Sequence, residues 1–446
     1  MLTENEKTVL RKLAERYMDV AALPVQKEKI ELWKSLNRGE MRRPMFTIDQ
    51  LPWHELDFDG SLTCAVADPF WRGVEENLRQ QLYKWTYFPA DMVIEPFIDV
   101  PMSVGGRNYG LEIIEEKLAT DDKNSVVAHR YINQFREESD IDKIRDMALV
   151  YDTAATAAHA EQAESVFGGV APVRLTGIQF HLGVWDALTT LMGVENIYYD
   201  TMDRPEFLKR LMDRITDATI AGIKQAEELG VHDVTTNSCH CSHIYTDDLL
   251  PSPNVNLKQE AYLSETAGNG AGRGPGRASG NLSAVPSAQS AVKTPAKHCW
   301  AYGLAQLFSS VPPSTFEELE LPYIQKMGEM FGCIYYGCCD RLDDRLDLVK
   351  KIPNVRKVSC SPWSDREKFA ERIGPKLVMS NKPSPAYLAS DIFDEKIIRD
   401  DLNRTINAAR KNKVNLEFIL KDVSTVQYQP ERLTRWSEIA REAVES

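Results

Sequence analysis

Between residues 314 and 420 the chain repeats one unit four times: a helix-length amphipathic stretch followed by a short apolar run. The helical stretches are 314–330, 342–350, 365–372 and 394–411, and the strand-like runs are 333–336, 355–360, 376–380 and 414–420. Short buried strands that alternate with helices are parallel strands joined by crossovers, since each return to the same end of a sheet needs a long connection. Earlier strand-like runs at 91–100, 173–180 and 231–236 bring the total to about seven or eight. That number predicts an α/β fold, a single (β/α)8 TIM-type barrel. A doubly wound open sheet is the alternative, but its Gly-rich first turn after an early strand is missing.

Residues 1–40 read as an N-terminal helical extension, with a break near Pro24, and 41–446 as the barrel. Further helices are expected over 68–87 and 141–164, and a helix pair over 203–229, which opens at a Pro-containing turn. The rhythm stops at 251–297. From 266 to 297 there is no acidic residue, and Gly, Ala, Ser and Pro predominate. Such a stretch cannot bury enough apolar surface to offset its ordering, so it reads as a flexible loop that could close as a lid. Its glycines match neither phosphate-loop nor dinucleotide-loop spacing.

The 446 residues carry 53 basic and 66 acidic side chains, a net charge of −13. That balance argues against a sequence-independent grip on nucleic acid, which needs a basic stripe. The first residues are charged and lack an apolar core, so no secretory signal is read, and no apolar run is long enough to span a membrane. Eight cysteines in a long chain without an export signal read as reduced thiols of a cytoplasmic enzyme.

In a parallel barrel the chemistry gathers where the strands end. Two cysteine clusters fall there: Asn237-Ser238-Cys239-His240-Cys241-Ser242-His243 and Tyr336-Gly337-Cys338-Cys339-Asp340. Thiolates and imidazoles at strand ends suit a zinc site or a thiol-activating site, while buried inert thiols are the bland alternative. Strand alternation would send Cys338 and Cys339 to opposite sides. Cys239 and Cys241 would share a face with His240 opposite, unless the strand has already turned into a loop. His181 is a candidate acid–base residue or a brace for its loop. Glu95, in an apolar run, is a functional acid or a buried anchor. Ser361 and Asn381 also sit at strand ends. Asp340, Asp343, Asp344 and Asp347 read as first-turn acids that favour a helix dipole.

Taken together, Tyr335-Tyr336-Gly337-Cys338-Cys339-Asp340, Lys351-Ile352-Pro353-Asn354-Val355 and Ser361-Pro362-Trp363-Ser364-Asp365 resemble the uroporphyrinogen decarboxylase superfamily. Arg43-Pro44, Pro52-Trp53, Asp186-Ala187-Leu188, Met192-Gly193-Val194-Glu195 and Asp203-Arg204-Pro205-Glu206-Phe207 agree with it, over roughly residues 30 to 445. The resemblance implies a (β/α)8 barrel and one of two chemistries. The first is methyl transfer between a small methylated compound and a thiol, or a corrinoid carried by a partner protein, with a zinc-bound thiolate. Cys338 aligns with the cysteine of that branch's H-x-C motif, with Tyr336 in place of its histidine. No cysteine stands near Ser380-Asn381-Lys382-Pro383, so zinc would draw on Cys239, His240, Cys241 or His243 beside Cys338. His181, Glu95 or Tyr336 would carry the catalytic proton, and Asn381 would contact substrate. The second chemistry is cofactor-free decarboxylation of a porphyrinogen-like carboxylate. The decarboxylases' R-Q-A-G-R run is absent, which leaves Arg42 and Arg43 as the carboxylate clamp. A non-catalytic, small-molecule-binding barrel is the third reading. A homo-oligomer is compatible with all three.

Overall fold

The computed structural model describes residues 2–118, 128–234, 237–249 and 293–446. Its centre is a parallel sheet of six strands: β1 (Met45–Ile48), β2 (Trp300–Gly303), β3 (Cys333–Tyr336), β4 (Val355–Cys360), β5 (Val378–Asn381) and β6 (Asn415–Leu420). Their order is β1-β6-β5-β4-β3-β2, every neighbour parallel. The four repeated units of the sequence therefore build β3 to β6, and the first strand of the chain closes against the last.

Shorter pieces extend both edges. His181 bridges Tyr302 of β2, and Ile178 bridges His232, each in parallel fashion. The Asp91 N–H donates to the Phe46 carbonyl of β1 at 2.9 Å. Ile98–Pro101 pairs with Val173–Thr176 in a separate parallel ladder. Among the described residues these pieces do not join into one closed ladder, so the expected barrel is seen as a six-stranded α/β sheet with flanking strand segments.

Helix boundaries follow local chemistry. Glu4–Ala21 starts at a Thr3–Glu6 capping box, and Pro24 opens the next helix, Pro24–Asn37. Pro205–Leu229 is one helix rather than a pair, stopped by Gly230 at φ 65°. The helix expected at 141–164 is confined to Thr153–Phe167, because the Asp152 carboxylate caps Ala155 N–H and starts the helix there. The stretch 342–350 is helical only over Leu346–Val349. Its acids pair with side chains instead of capping: Asp343 with Arg341 at 2.9 Å, Asp344 with Arg345 at 2.8 Å, Asp347 with Arg372 at 2.8 Å. Most of the loop expected at 251–297 lies outside the described residues, as do Thr235 and Thr236 of the expected strand 231–236.

The two faces of the sheet differ. Ile334, Tyr336, Val358, Cys360, Met379, Leu416 and Phe418 face outward and pack in the main apolar core with the helices. The alternate residues face inward, and many are polar. One rung aligns Tyr302, Tyr335, Lys357 and Val378; the next aligns Ser359, Ser380, Glu417 and Met45. No described helix is long and apolar enough to cross a membrane.

Candidate functional site at the inner face of the sheet

A hairpin closes onto the polar inner face. Ser238–Cys239 pairs with Ser242–His243, so the chain reverses through His240 and Cys241. Both tip residues have positive φ, 45° and 65°, as a two-residue turn of this hand requires. Histidine and cysteine pay a steric penalty there that glycine would not, and residues held so are common at functional sites. The sheet holds the tip in place. Thr47 Oγ1 donates to the Cys241 carbonyl at 2.8 Å, and Lys357 Nζ donates to the His243 carbonyl at 3.0 Å.

Beneath the hairpin lies a fully buried ion pair, Lys357 Nζ to Glu417 Oε2 at 2.8 Å. Ser242 Oγ donates to the same carboxylate oxygen at 2.8 Å and accepts from Lys357 at 2.6 Å. Burial works against the Glu417 charge, but Lys357 and Lys382 outweigh it and hold the carboxyl below its ordinary range. A buried pair needs these extra bonds, because desolvation otherwise cancels the attraction.

Towards the strand ends the same face carries the thiol cluster. Gly337, at φ 90°, turns the chain out of β3, and Cys338 follows it. Cys338 Sγ lies 3.1 Å from Lys421 Nζ and 3.5 Å from Cys339 Sγ, with the His240 ring near enough to act on its charge. Lys421 Nζ also donates to His240 Nε2 at 3.2 Å. The His240 ring stacks on Tyr302, centroids 4.0 Å apart and planes at 12°, and Tyr302 Oη donates to the Gly337 carbonyl at 3.2 Å. The Cys339 hydrogen bond is the largest influence lowering the Cys338 thiol pKa, and His240 and Lys421 add to it against the effect of burial. Cys339 moves the other way, up, and its thiol also reaches Asp422 Oδ2 at 3.2 Å. A neighbouring thiol, an imidazole and an ammonium thus favour the thiolate form of the buried Cys338.

The predicted site residues are distributed as follows. Cys338 and His240 meet. His181 is exposed at the rim, with its ring edge-on to Tyr302 at 4.9 Å and its Nδ1 accepting from the Gly183 N–H at 3.3 Å. Cys239 is buried beneath the hairpin, where burial pushes its thiol up to about 12. Cys241 is half-buried and likewise raised to about 12 by burial. Cys338 and Cys339 do not diverge as expected, because the strand ends at Tyr336 and its alternation ends with it. Tyr336 faces outward and donates to Glu320 Oε1 at 2.9 Å. Asn381 also faces outward, beside the Cys360 carbonyl at 3.4 Å. Glu95 pairs with Arg174 at 2.9 Å, next to the Arg174–Asp99 pair, and accepts from the Asn237 side-chain amide at the base of the hairpin. Arg42 and Arg43 precede β1 and so lie at the N-terminal end of the parallel strands, opposite the end where the thiols gather. Arg42 is exposed, and Arg43 is bound to buried Asp91 at 2.8 Å.

Zinc does not fit this arrangement. Lys421 Nζ stands 3.1 Å from Cys338 Sγ and 3.2 Å from His240 Nε2, where its positive charge would repel a dication. Among the described residues no group of three or more His, Cys, Asp or Glu is placed to hold a metal ion.

Sequence reasoning missed Lys357, Lys382, Lys421, Glu417, Tyr302 and Tyr335. The signal was present as period-two polarity: Lys357-x-Ser359-x-Ser361, Ser380-x-Lys382 and Glu417-x-Ile419-x-Lys421.

No family model matches the chain, and no curated protein matches it. Among solved structures, a methyltransferase from Methanosarcina mazei is similar at 12% identity and a TM-score of 0.45, over 92% of this chain and 97% of that one. A likeness so distant transfers neither fold nor activity to this chain.

Proposed function

We propose that the chain is an enzyme of the methyl-transfer type, built on a (β/α)8 barrel of which the six-stranded sheet is the main part. It would move a methyl group between a small methylated compound and a thiol, or a corrinoid carried by a partner protein. The observation that carries this reading is the setting of Cys338: a buried sulfur 3.1 Å from the Lys421 ammonium and 3.5 Å from the Cys339 thiol, neighbours that favour its thiolate form. A thiolate is a soft nucleophile suited to displacement at a methyl carbon. Its sulfur lone pair forms the S–C bond as the bond from methyl to donor breaks, and the electron pair of that bond leaves with the donor. His181, at the rim, would move the proton. Lys421 holds the sulfur negative before the transfer, and its charge is left to a leaving anion afterwards.

The test is incubation with a methylated corrinoid and with a methyl sulfonium compound, followed by peptide mass mapping. One added methyl mass on Cys338, lost in Cys338→Ser, is the expected result. An unmodified Cys338 with both donors removes the basis of the reading.

A second reading, decarboxylation of a small carboxylate, is favoured by one observation: of the three lysines on the inner face, Lys357 pairs with Glu417 and Lys421 with Asp422, while Lys382 donates to neutral oxygens. The clamp would then be Lys382 and Lys421, on the face that also carries Cys338, in place of Arg42 and Arg43.

A further inference from the structure

Lys382 has a setting unlike that of its neighbours. Lys357 is paired with Glu417, and Lys421 with both the Cys338 sulfur and the Asp422 carboxylate, 3.2 Å away. Lys382, 2% exposed, donates only to neutral oxygens: Tyr335 Oη, Ser380 Oγ at 2.8 Å and the Ser380 carbonyl at 3.4 Å. Tyr335 Oη and Ser380 Oγ are themselves 2.6 Å apart, so the amine sits in a small hydroxyl cradle. Burial, with Lys421 nearby, brings its pKa down to about 8 even though Glu417 acts to raise it. An amine so placed is partly neutral near physiological pH, with a free electron pair. It follows the end of β5 on the inner face, the side on which the thiol cluster lies.

We propose that Lys382 is an amine nucleophile that forms an imine with the carbonyl of a small keto acid, whose carboxylate takes the place of the half-exposed Asp422 carboxylate beside the Lys421 ammonium. The Lys382 nitrogen pair forms a bond to the carbonyl carbon. The carbonyl oxygen then leaves as water, taking the two amine protons by way of the Tyr335 and Ser380 hydroxyls. With a β-keto acid, the protonated imine accepts the electron pair of the carbon–carboxylate bond as carbon dioxide departs. The resulting enamine takes a proton on carbon, and water releases the ketone and restores the amine. This goes beyond both readings above, neither of which gives the amine a covalent role.

The experiment is imine trapping on the full chain at neutral pH. Pyruvate and acetoacetate serve as separate probes, sodium cyanoborohydride reduces any C=N bond to a stable secondary amine, and peptide mapping examines all lysines. The expected result is an adduct concentrated on Lys382, lost in Lys382→Arg and retained in Cys338→Ser. Retention in Cys338→Ser separates this inference from methyl transfer, which that variant abolishes. Lys29 is a built-in control, since burial also brings its pKa down to about 8 while it donates to the Ala90 and Met92 carbonyls. An adduct at Lys29 or across surface lysines with Lys382 unmodified overturns the proposal. Should Lys382→Arg fail to fold, the wild-type map decides by itself: Lys382 is either the labelled lysine or it is not.

Discussion

At the scale of single residues, Asp186 offers the clearest pH signature. It follows the His181 loop, and its carboxylate accepts from the Gln306 N–H and side-chain amide, both at 3.3 Å. Burial raises its pKa to about 6. Between about pH 4 and pH 6 the folded state therefore binds a proton that the unfolded state has lost, so stability falls as pH rises through that window. The loss persists above it. Asp186→Asn removes this penalty while keeping an oxygen for Gln306. The variant should match the wild type near pH 4 and exceed it by about 1–2 kcal/mol near pH 7, in urea unfolding at both values. Equal stability at both pH values would show that the carboxyl stays solvated.

At the scale of elements, the strand-to-loop turn at Gly337 sets where the thiols go. A Cβ there would stand 2.6 Å from Leu342 Cδ1 and 3.1 Å from Ser359 Cβ, and φ is 90°. Gly337→Ala should cost about 1–3 kcal/mol and slow alkylation of Cys338 by iodoacetamide, since the turn that delivers its sulfur to Lys421 is altered. An alanine variant with unchanged alkylation would show that the sulfur is placed from elsewhere. The same turn explains what was readable in the sequence. The run Cys333 to Tyr336 was legible as a strand from its apolar, aromatic content, and Cys338 was legible as a candidate from its place after that strand. The choice between Tyr335 and Tyr336 was not, because facing depends on where the strand begins, which composition leaves open by a residue. The His240–Cys241 tip was equally hidden, for neither residue type signals a positive-φ turn.

At the scale of the whole molecule, Asp91 ties distant parts of the chain together. Its carboxylate accepts from Arg43 at 2.8 and 2.9 Å, from the Phe46 N–H at 2.9 Å, and from Arg441 of the last helix, Glu431–Glu445, at 2.8 Å. The ion pairs hold its pKa below the usual range although burial opposes them. Asp91→Ala leaves two arginines without their carboxylate and should cost about 3–5 kcal/mol in urea unfolding. Arg42→Ala, at an exposed neighbouring position, should change stability by less than about 0.5 kcal/mol. A small effect of Asp91→Ala would mean that solvent already shields the pair. The repeated helix–strand rhythm made this architecture legible from β3 onward. The polar inner face was not legible, because Lys357 and Glu417 find each other across strands, and their register emerges only once the sheet is paired.

The hairpin at 238–243 also makes the candidate site a long-range construction. Its hydroxyl and carbonyl complete the coordination of a lysine and a glutamate that belong to strands far along the chain. Contacts between segments so distant in sequence carry a large loop-closure cost, which local helices and turns do not share. The pairing of Lys357 with Glu417 and the approach of His240 to Lys421 therefore depend on the whole sheet being assembled, not on any one unit of it.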